Sequence, residues 1–402
     1  MIIIEPFYHV DKKMTQYNIG IDALADVPEK SGQINIHRNI LRWLPSLAKD
    51  WTFYVFSTPN QRLYYEKYGM EMDNLRWVYC WADNAKGTIK RIITQEIQLS
   101  FLARKIGLDC VIVSPLPFLF PFYPIRKIYR HTLLTSSIKS DFKGFYRLIR
   151  IYLSAKYSDA VLCNSHFALY ELERFIKRPI KKKKVIWESF DENIFSNKIR
   201  IDSQFVRAKI RNVLSANSQS ILVPTGLQQH KNAVIIFEML KNIRRANYPL
   251  PHILFMGNID RAYYRILRTK YPDYFKEGIV KVLGFCSHEE LAYVAKHVML
   301  GIYPSKYETF GLPPLEMMAV GLPVIVSQVK PMIEISGPGS VMFDPDNAEE
   351  LAAKVIKLFK SPKERNSLAQ RGYEFIKRYS WKRNALETLS FIESVVENKS
   401  DF

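Results

Sequence analysis

The stretch from Val298 to Ser327 (VMLGIYPSKYETFGLPPLEMMAVGLPVIVS) limits what this chain can fold into more than any other. Val298 to Tyr303 is an apolar run with the length of a buried strand, and Pro304 and Ser305 end it. Pro313 and Pro314 suit the first turn of a helix, where a missing N–H leaves no hydrogen bond unmade. Gly321 and Pro323 stop that helix before a second strand, Val324 to Val326. Strand, loop, helix and strand in this order build an open parallel sheet, whose ligands lie at the carboxyl ends of the strands. The free amides and dipole of a helix start suit a phosphate.

Glu308 and Glu316 stand at the two ends of this corner, with seven residues between them. Two carboxylates facing a phosphate would repel it, so they are expected to accept hydrogen bonds from the hydroxyls of a sugar and a ribose. That points to a nucleotide sugar, with solvated glutamates on an ordinary capped helix as the alternative. The run Glu308, Thr309, Phe310, Gly311, Leu312, Pro313, Pro314, Leu315, Glu316, continued by Gly-Leu-Pro-Val-Ile-Val-Ser and Glu334, resembles a known signature. It is that of the retaining nucleotide-sugar glycosyltransferases of family 4, glycosyl transferases group 1. The resemblance implies an α/β chain of GT-B fold, two doubly wound Rossmann-like domains facing across a cleft. It also implies that Glu308 holds the donor sugar and Glu316 the nucleotide ribose. The backbone from Thr309 through Phe310, Gly311 and Leu312 would lie against the sugar and phosphates.

A length of 402 residues exceeds what one core usually supports, so two domains are expected. Hydrophobic content of 48% and charged content of 24% are globular values and argue against disorder. Cys80, Cys110, Cys163 and Cys286 have neither metal nor redox spacing and read as reduced core residues. Glu5 and Pro6 follow Met1 to Ile4 at once, so no signal peptide is expected. No apolar run approaches the roughly 18 residues of a spanning helix. The expected place is cytoplasmic, with attachment to the inner face of the cell membrane as the charge suggests. The net charge is +19, and residues 101–184 hold 17 Lys and Arg against 5 Asp and Glu. No RNP, zinc-finger or helix-turn-helix pattern accompanies that surplus, so no nucleic acid is expected. An anionic membrane surface is the expected partner, and a merely solvated basic face is the alternative.

Taken in order, Met1 to Glu5 reads as a first strand and Phe7 to Glu29 as a long polar connection. Gly32 then opens a helix with an apolar stripe over Ile36, Ile40, Leu41, Trp43, Leu44 and Leu47. By the resemblance, Gly32 is what remains of a glycine pair near the donor phosphates and acceptor; a plain N-terminal turn is the alternative. Strands at Trp51 to Ser57, Leu75 to Cys80 and Asp109 to Val113 alternate with helical stretches, as in a parallel sheet wrapped in helices. Ser114 to Ile125 (SPLPFLFPFYPI) holds four prolines among apolar residues, so it is neither helix nor central strand. It is either buried under a neighbour or dips into a lipid surface. Ile128 to Leu134 reads as a strand, after which Thr135, Ser136 and Ser137 stand where the resemblance expects a histidine. His131 is assigned to a basic surface. Asp141 to Ser158 reads as a basic amphipathic helix that lies on an anionic bilayer or on the core.

The polar segment Glu192 to Ser220 suits a linker between domains. The pattern then restarts with Ile221 to Val223 and the turn Pro224 to Asn232. By the resemblance Lys231 holds the donor diphosphate, while a second expected cation, an arginine, falls on Gly226. A leaving diphosphate gains negative charge in the transition state, so a fixed cation or amides must be aimed at it. By the resemblance the strand Ile279 to Leu283 and its loop lie near the nucleotide base, so Phe285 is expected either to stack there or to pack in the core. Phe343-Asp344-Pro345-Asp346 contains an Asp-x-Asp but reads as a turn before a helix, so no metal is expected. No cofactor is expected beyond the nucleotide-sugar donor as substrate.

The expected domains are 1–195 on the acceptor side, 196–375 binding the donor, and a last helix, 376–402, packing back on the first. The expected activity is that of a hexosyltransferase: retaining, metal-independent transfer to a hydroxyl of a glycan or lipid-linked glycan, of the cell-surface polysaccharide type. The catalytic residues would be Glu308 and Lys231. Because one expected cation and the histidine are missing, a non-catalytic nucleotide-sugar-binding subunit of a glycan-assembly complex is the alternative.

Overall fold

The computed structural model describes residues 16–24, 32–66, 72–80, 99, 101–113, 125–132, 142–215 and 219–397. Strands β1 (Asn18–Asp22), β2 (Thr52–Ser57), β3 (Leu75–Tyr79), β4 (Cys110–Val113), β5 (Arg126–His131), β6 (Ala160–Cys163) and β7 (Lys183–Val185) form one sheet. Its order is β3-β2-β1-β4-β5-β6-β7. Strands β8 (Ser220–Val223), β9 (His252–Met256), β10 (Val280–Gly284), β11 (Leu300–Tyr303), β12 (Val324–Ser327) and β13 (Val341–Phe343) form the other, in the order β10-β9-β8-β11-β12-β13. Neighbours pair in parallel, as where Ile221 of β8 registers with Ile253 of β9 and with Leu300 of β11. Parallel neighbours need crossovers, and helices supply them, as the alternating pattern expects.

The chain divides into two compact units: residues 1–130, 150–161 and 385–402 form the first, and 131–149 with 162–384 the second. In the first unit Ile19 and Ile21 of β1, Phe53 and Val55 of β2, and Leu41 and Leu44 of the helix Gly32–Leu47 are buried together. Tyr17, just before β1, donates its hydroxyl to Glu397 Oε1 (3.1 Å), beside the end of the helix Trp381–Val396. In the second unit the helices Ala233–Arg245 and Ala348–Lys360 cover one face of the sheet. Phe237 is fully buried there and stacks on Tyr271 with ring centres 4.6 Å apart. On the other face Leu315, Met317 and Met318 of the helix Leu312–Ala319 pack with Val324 and Val326.

Three expectations change. The strand that leads toward Gly32 is β1, inside the segment read as a polar connection. The stretch Met1 to Glu5 lies outside the described residues, as do 114–124 of the proline-rich loop and Thr135 to Ser137. The polar segment before β8 contains the helix Ala208–Ser215, whose Ile210 is buried along with Val206. Only a few apolar residues carry that packing, so their periodicity is hard to read. His131, assigned to a basic surface, is fully buried in the last position of β5, and Lys127, Arg130 and Arg150 are buried as well. β5 is an internal strand covered on both faces, so its consecutive residues are buried regardless of charge, while Arg150 lies on the buried side of the helix Phe142–Tyr157. Among the described residues no helix is long and apolar enough to cross a membrane.

Truncating Phe237→Ala removes a buried stacked ring and should cost about 3–5 kcal/mol of the second unit's stability. Urea unfolding followed by hydrogen exchange in β8 and β9 reads this directly. A loss below about 1 kcal/mol would contradict the packing described.

Candidate functional site

The second sheet reverses its winding between β8 and β11, which is where open α/β sheets bind ligands. The loop leaving β8 is pinned to the end of β9: Gly226 N–H donates to Met256 O (2.7 Å) and Leu227 N–H to Asn258 O (2.9 Å). Gly226 has φ +65°, and a Cβ there would lie 2.1 Å from Asn258 O and 2.7 Å from Asn258 N. Only glycine fits so close a backbone approach. The arginine that the resemblance expects at this place therefore has no room, and its loss is built into the backbone.

Farther along the same loop, Gln229–Lys231 make a 3₁₀ turn, and Asn232, left-handed at φ +57°, leads into the helix Ala233–Arg245. Asn232 Nδ2 donates to Pro345 O (2.8 Å), which fixes the corner. Lys231 Nζ lies 2.6 Å from Glu308 Oε1, with side chains only 19% and 13% exposed. Its neighbour His230 is held below the ordinary imidazole range, first by burial and then by the charge of Lys231. At neutral pH the positive charge of this loop is thus that of Lys231.

Glu308 sits on the loop leaving β11. Its Oε1 also accepts from the Tyr303 hydroxyl (2.6 Å), so one oxygen takes two donors. Lys306 N–H donates to His230 O (3.3 Å) and Ser327 Oγ donates to Ser305 O, which ties the loop to its neighbours on both sides. Gly311 then precedes the helix Leu312–Ala319 at φ +92°, where a Cβ would strike Met332 Cε at 2.4 Å. No side chain caps this helix start, and because Pro313 and Pro314 carry no N–H, the amides it can offer an anion are those of Gly311 and Leu312. Phe310 turns into the core at 2% exposure, while Thr309 offers its backbone: Ser165 Oγ donates to Thr309 O (2.6 Å).

Glu316, the far carboxylate of the signature, is 5% exposed and makes no hydrogen bond with the described residues. Burial and then the charge of Asp191 push its carboxyl up to about 8. In the unliganded protein it is largely protonated at neutral pH. The two glutamates therefore have opposite environments, one ion-paired and one isolated in an apolar wall.

Phe285 follows Gly284 at the carboxyl end of β10 and is 56% exposed, which rules out the core alternative. Arg207 Nη2 donates to Phe285 O (2.9 Å) while its Nε and Nη2 grip Glu290, itself the N3 residue of the Ser287 capping box. Gly32 is the first residue of its helix in the first unit. The Asp344-Pro345-Asp346 turn uses its own carboxylates: Asp344 Oδ1 accepts from Asp346 N–H (2.9 Å), and Asp346 pairs with Lys306. Sequence reasoning missed Tyr303. Its hydroxyl acts through a contact set by the path of the following loop rather than by spacing, and the only local signal is that Tyr303 ends the strand feeding that loop. Glu334 also has a role beyond the signature: it accepts from His166 and Phe167 N–H and from Trp187 Nε1.

Two parallel-sheet α/β units with these loops are of the GT-B fold, and solved structures agree. A HepE of Anabaena in complex with UDP and glucose aligns with a TM-score of 0.71 at 15% identity, covering 94% of this chain and all of that one. Sucrose-phosphate synthase of Thermosynechococcus elongatus aligns at 0.70 and 18%, covering 95% and 100%. Residues 206–375, within the second unit, match the family described as Glycosyl transferases group 1. Among curated relatives, O-antigen chain mannosyltransferase B of Escherichia coli is 28% identical over 154 residues, 38% of this chain and 39% of its own length. The MMP alpha-(1->4)-mannosyltransferase of Mycolicibacterium hassiacum is 31% identical over 122 residues, 29% of this chain and 30% of its own length. The chain thus spans less than two thirds of the length of either. O-antigen chain mannosyltransferase RfbU of Salmonella typhimurium is 24% identical over 61% of this chain and 59% of its own.

A carboxyl raised by folding binds its proton more tightly in the native state. Its contribution to stability is greatest below the unfolded value of 4.5 and is lost as pH rises toward about 8. Glu316→Gln removes that dependence. In the absence of ligand the variant's Tm should gain on the unsubstituted protein from pH 5 to pH 8 by roughly ten degrees. A constant difference across this range would contradict the environment described for Glu316.

Proposed function

We propose that this chain is a retaining, metal-independent hexosyltransferase of family 4. It would transfer mannose from a nucleoside-diphosphate donor to a hydroxyl of a glycan or lipid-linked glycan in polysaccharide synthesis. The observation that carries the reading is the set made by Lys231, Glu308, the open amides of Gly311 and Leu312, and buried Glu316, gathered at the reversal of the second sheet. Mannose and a polysaccharide acceptor are supported by the mannosyltransferases to which part of the chain is similar.

In this reading Lys231 and the helix-start amides take up the diphosphate, Glu308 accepts from a sugar hydroxyl, and Glu316 faces the ribose. Phe285, exposed beside the same edge, stacks on the base. The bond from the anomeric carbon to the diphosphate breaks as the acceptor oxygen attacks from the same face. The acceptor's proton passes to the leaving phosphate oxygen, so no protein nucleophile is needed. Lys231 and the amides stabilise the negative charge as it develops, which is the service a divalent ion would otherwise supply. Gly32 marks the acceptor side by resemblance.

An anionic membrane surface is the proposed partner, and the protein would act at the inner face of the membrane. The helix Phe142–Tyr157 supports it, exposing Phe145, Ile149 and Tyr152 together with Arg147 and Lys156. A second reading, a nucleotide-sugar-binding subunit without catalysis, is favoured by the backbone that excludes an arginine at Gly226.

Incubation with nucleoside-diphosphate mannose and a lipid-linked glycan fraction separates the two. Labelled mannose on the acceptor, lowered about 100-fold or more in Glu308→Gln with folding intact, is the expected result. Donor binding without transfer would favour the subunit, and a fully active Glu308→Gln would remove Glu308 from the site. Co-sedimentation with phosphatidylglycerol vesicles at low salt, weakening as salt rises, is expected for the membrane partner. Equal binding to neutral vesicles would contradict it.

A further inference from the structure

Tyr303 is the last residue of β11 and is 2% exposed, and its hydroxyl reaches the same oxygen of Glu308 that Lys231 holds. The two donors differ in how freely they move. Lys231 stands on a flexible stem at the rim, with its ammonium 5.9 Å from the Tyr303 ring centre. The phenol is wedged under the loop: a Cβ on Gly311 would lie 3.6 Å from Tyr303 Cε1, and Met332 packs beside it. The second oxygen, Glu308 Oε2, makes no hydrogen bond with the described residues.

A single ammonium cannot serve Glu308 and a diphosphate equally, because the diphosphate carries more charge and more acceptor oxygens. When a donor enters, Lys231 is drawn toward it and Oε1 loses one of its two partners. We propose that Tyr303 is the positioning residue that then keeps Glu308 aimed, its hydroxyl fixing Oε1 so that Oε2 stays turned toward a hydroxyl of the donor sugar. This role rests on the donor site proposed above. Burial, with the Glu308 charge next, raises the phenol well above its ordinary value of 10, so the group remains a hydrogen-bond donor wherever the protein works. Lys231 is the mobile partner and Tyr303 the fixed one.

The assignment separates two quantities that a merely structural tyrosine would move together. Affinity for a nucleoside diphosphate, which has no sugar, depends on Lys231 and the helix-start amides. The rate of sugar transfer depends also on the aim of Glu308. In Tyr303→Phe, calorimetric affinity for the nucleoside diphosphate should stay within about twofold of the unsubstituted protein, while kcat for mannose transfer falls about tenfold or more. In Lys231→Met that affinity should itself fall by about tenfold or more. Equal losses of affinity and kcat in Tyr303→Phe, or an unchanged kcat, would overturn the role. If Tyr303→Phe does not fold, 4-aminophenylalanine introduced at position 303 keeps a weaker donor on the same ring. It should lower kcat by a few-fold, again with nucleotide affinity retained, and kcat equal to that of the unsubstituted protein would overturn the role. A protein that binds no nucleotide at all would overturn the donor site and this role with it. One that binds and transfers normally, with or without the Tyr303 hydroxyl, would overturn this role alone.

Discussion

Lys231 and Glu308 leave neighbouring strands of the second sheet and meet 2.6 Å apart, mostly out of solvent. The balance of charge along this edge follows from that meeting. Charges this sheltered are poorly screened, so each would be costly to leave alone, and removing either partner exposes the other to that penalty. In the proposed reading Lys231 is the cation set against an incoming diphosphate. The pair would then have to neutralise both side chains without ligand and give way when a more highly charged anion arrives.

The rest of the site makes such an exchange feasible. The loops themselves do not depend on the ion pair, because Gly226 locks against β9, Asn232 bonds to Pro345, and Lys306 bonds to His230 through the backbone. Gly311 brings the start of the next helix close to Tyr303 and Met332 and leaves its amides open. On the outer side of the loop, Ser165 holds Thr309 O and Glu334 closes the amides of His166 and Phe167 with the Trp187 indole. Glu316, on the buried face of the same helix, stays isolated and largely protonated. In the proposed reading one carboxylate gives up a cation and the other receives a hydroxyl.

Much of the second unit was legible because each element there carries its own signal. Proline and glycine punctuate Val298 to Ser327, the apolar runs are short, and Ser287 with Glu290 forms the capping box that its spacing suggests. β1 was not legible for a physical reason: Asn18-Ile-Gly-Ile-Asp shows only two large apolar side chains, and Gly20 is packed over by Leu108, Phe56 and Val111 from elsewhere. Burial in a central strand comes from its neighbours. The same limit applied at the site. Gly226 looked like a lost arginine, but its meaning lies in Asn258, which strand order brings against it. Tyr303 looked like the apolar end of a strand, and only the path of the following loop turns Glu308 back onto its hydroxyl.

A crystal structure with nucleoside-diphosphate mannose bound tests this site most directly. The diphosphate should lie on Lys231 and the amides of Gly311 and Leu312, a sugar hydroxyl on Glu308 Oε2, the ribose at Glu316, and the Tyr303 hydroxyl should still bond Oε1. A donor bound elsewhere, or one seated here with the Lys231–Glu308 pair unbroken and Glu316 untouched, would contradict it.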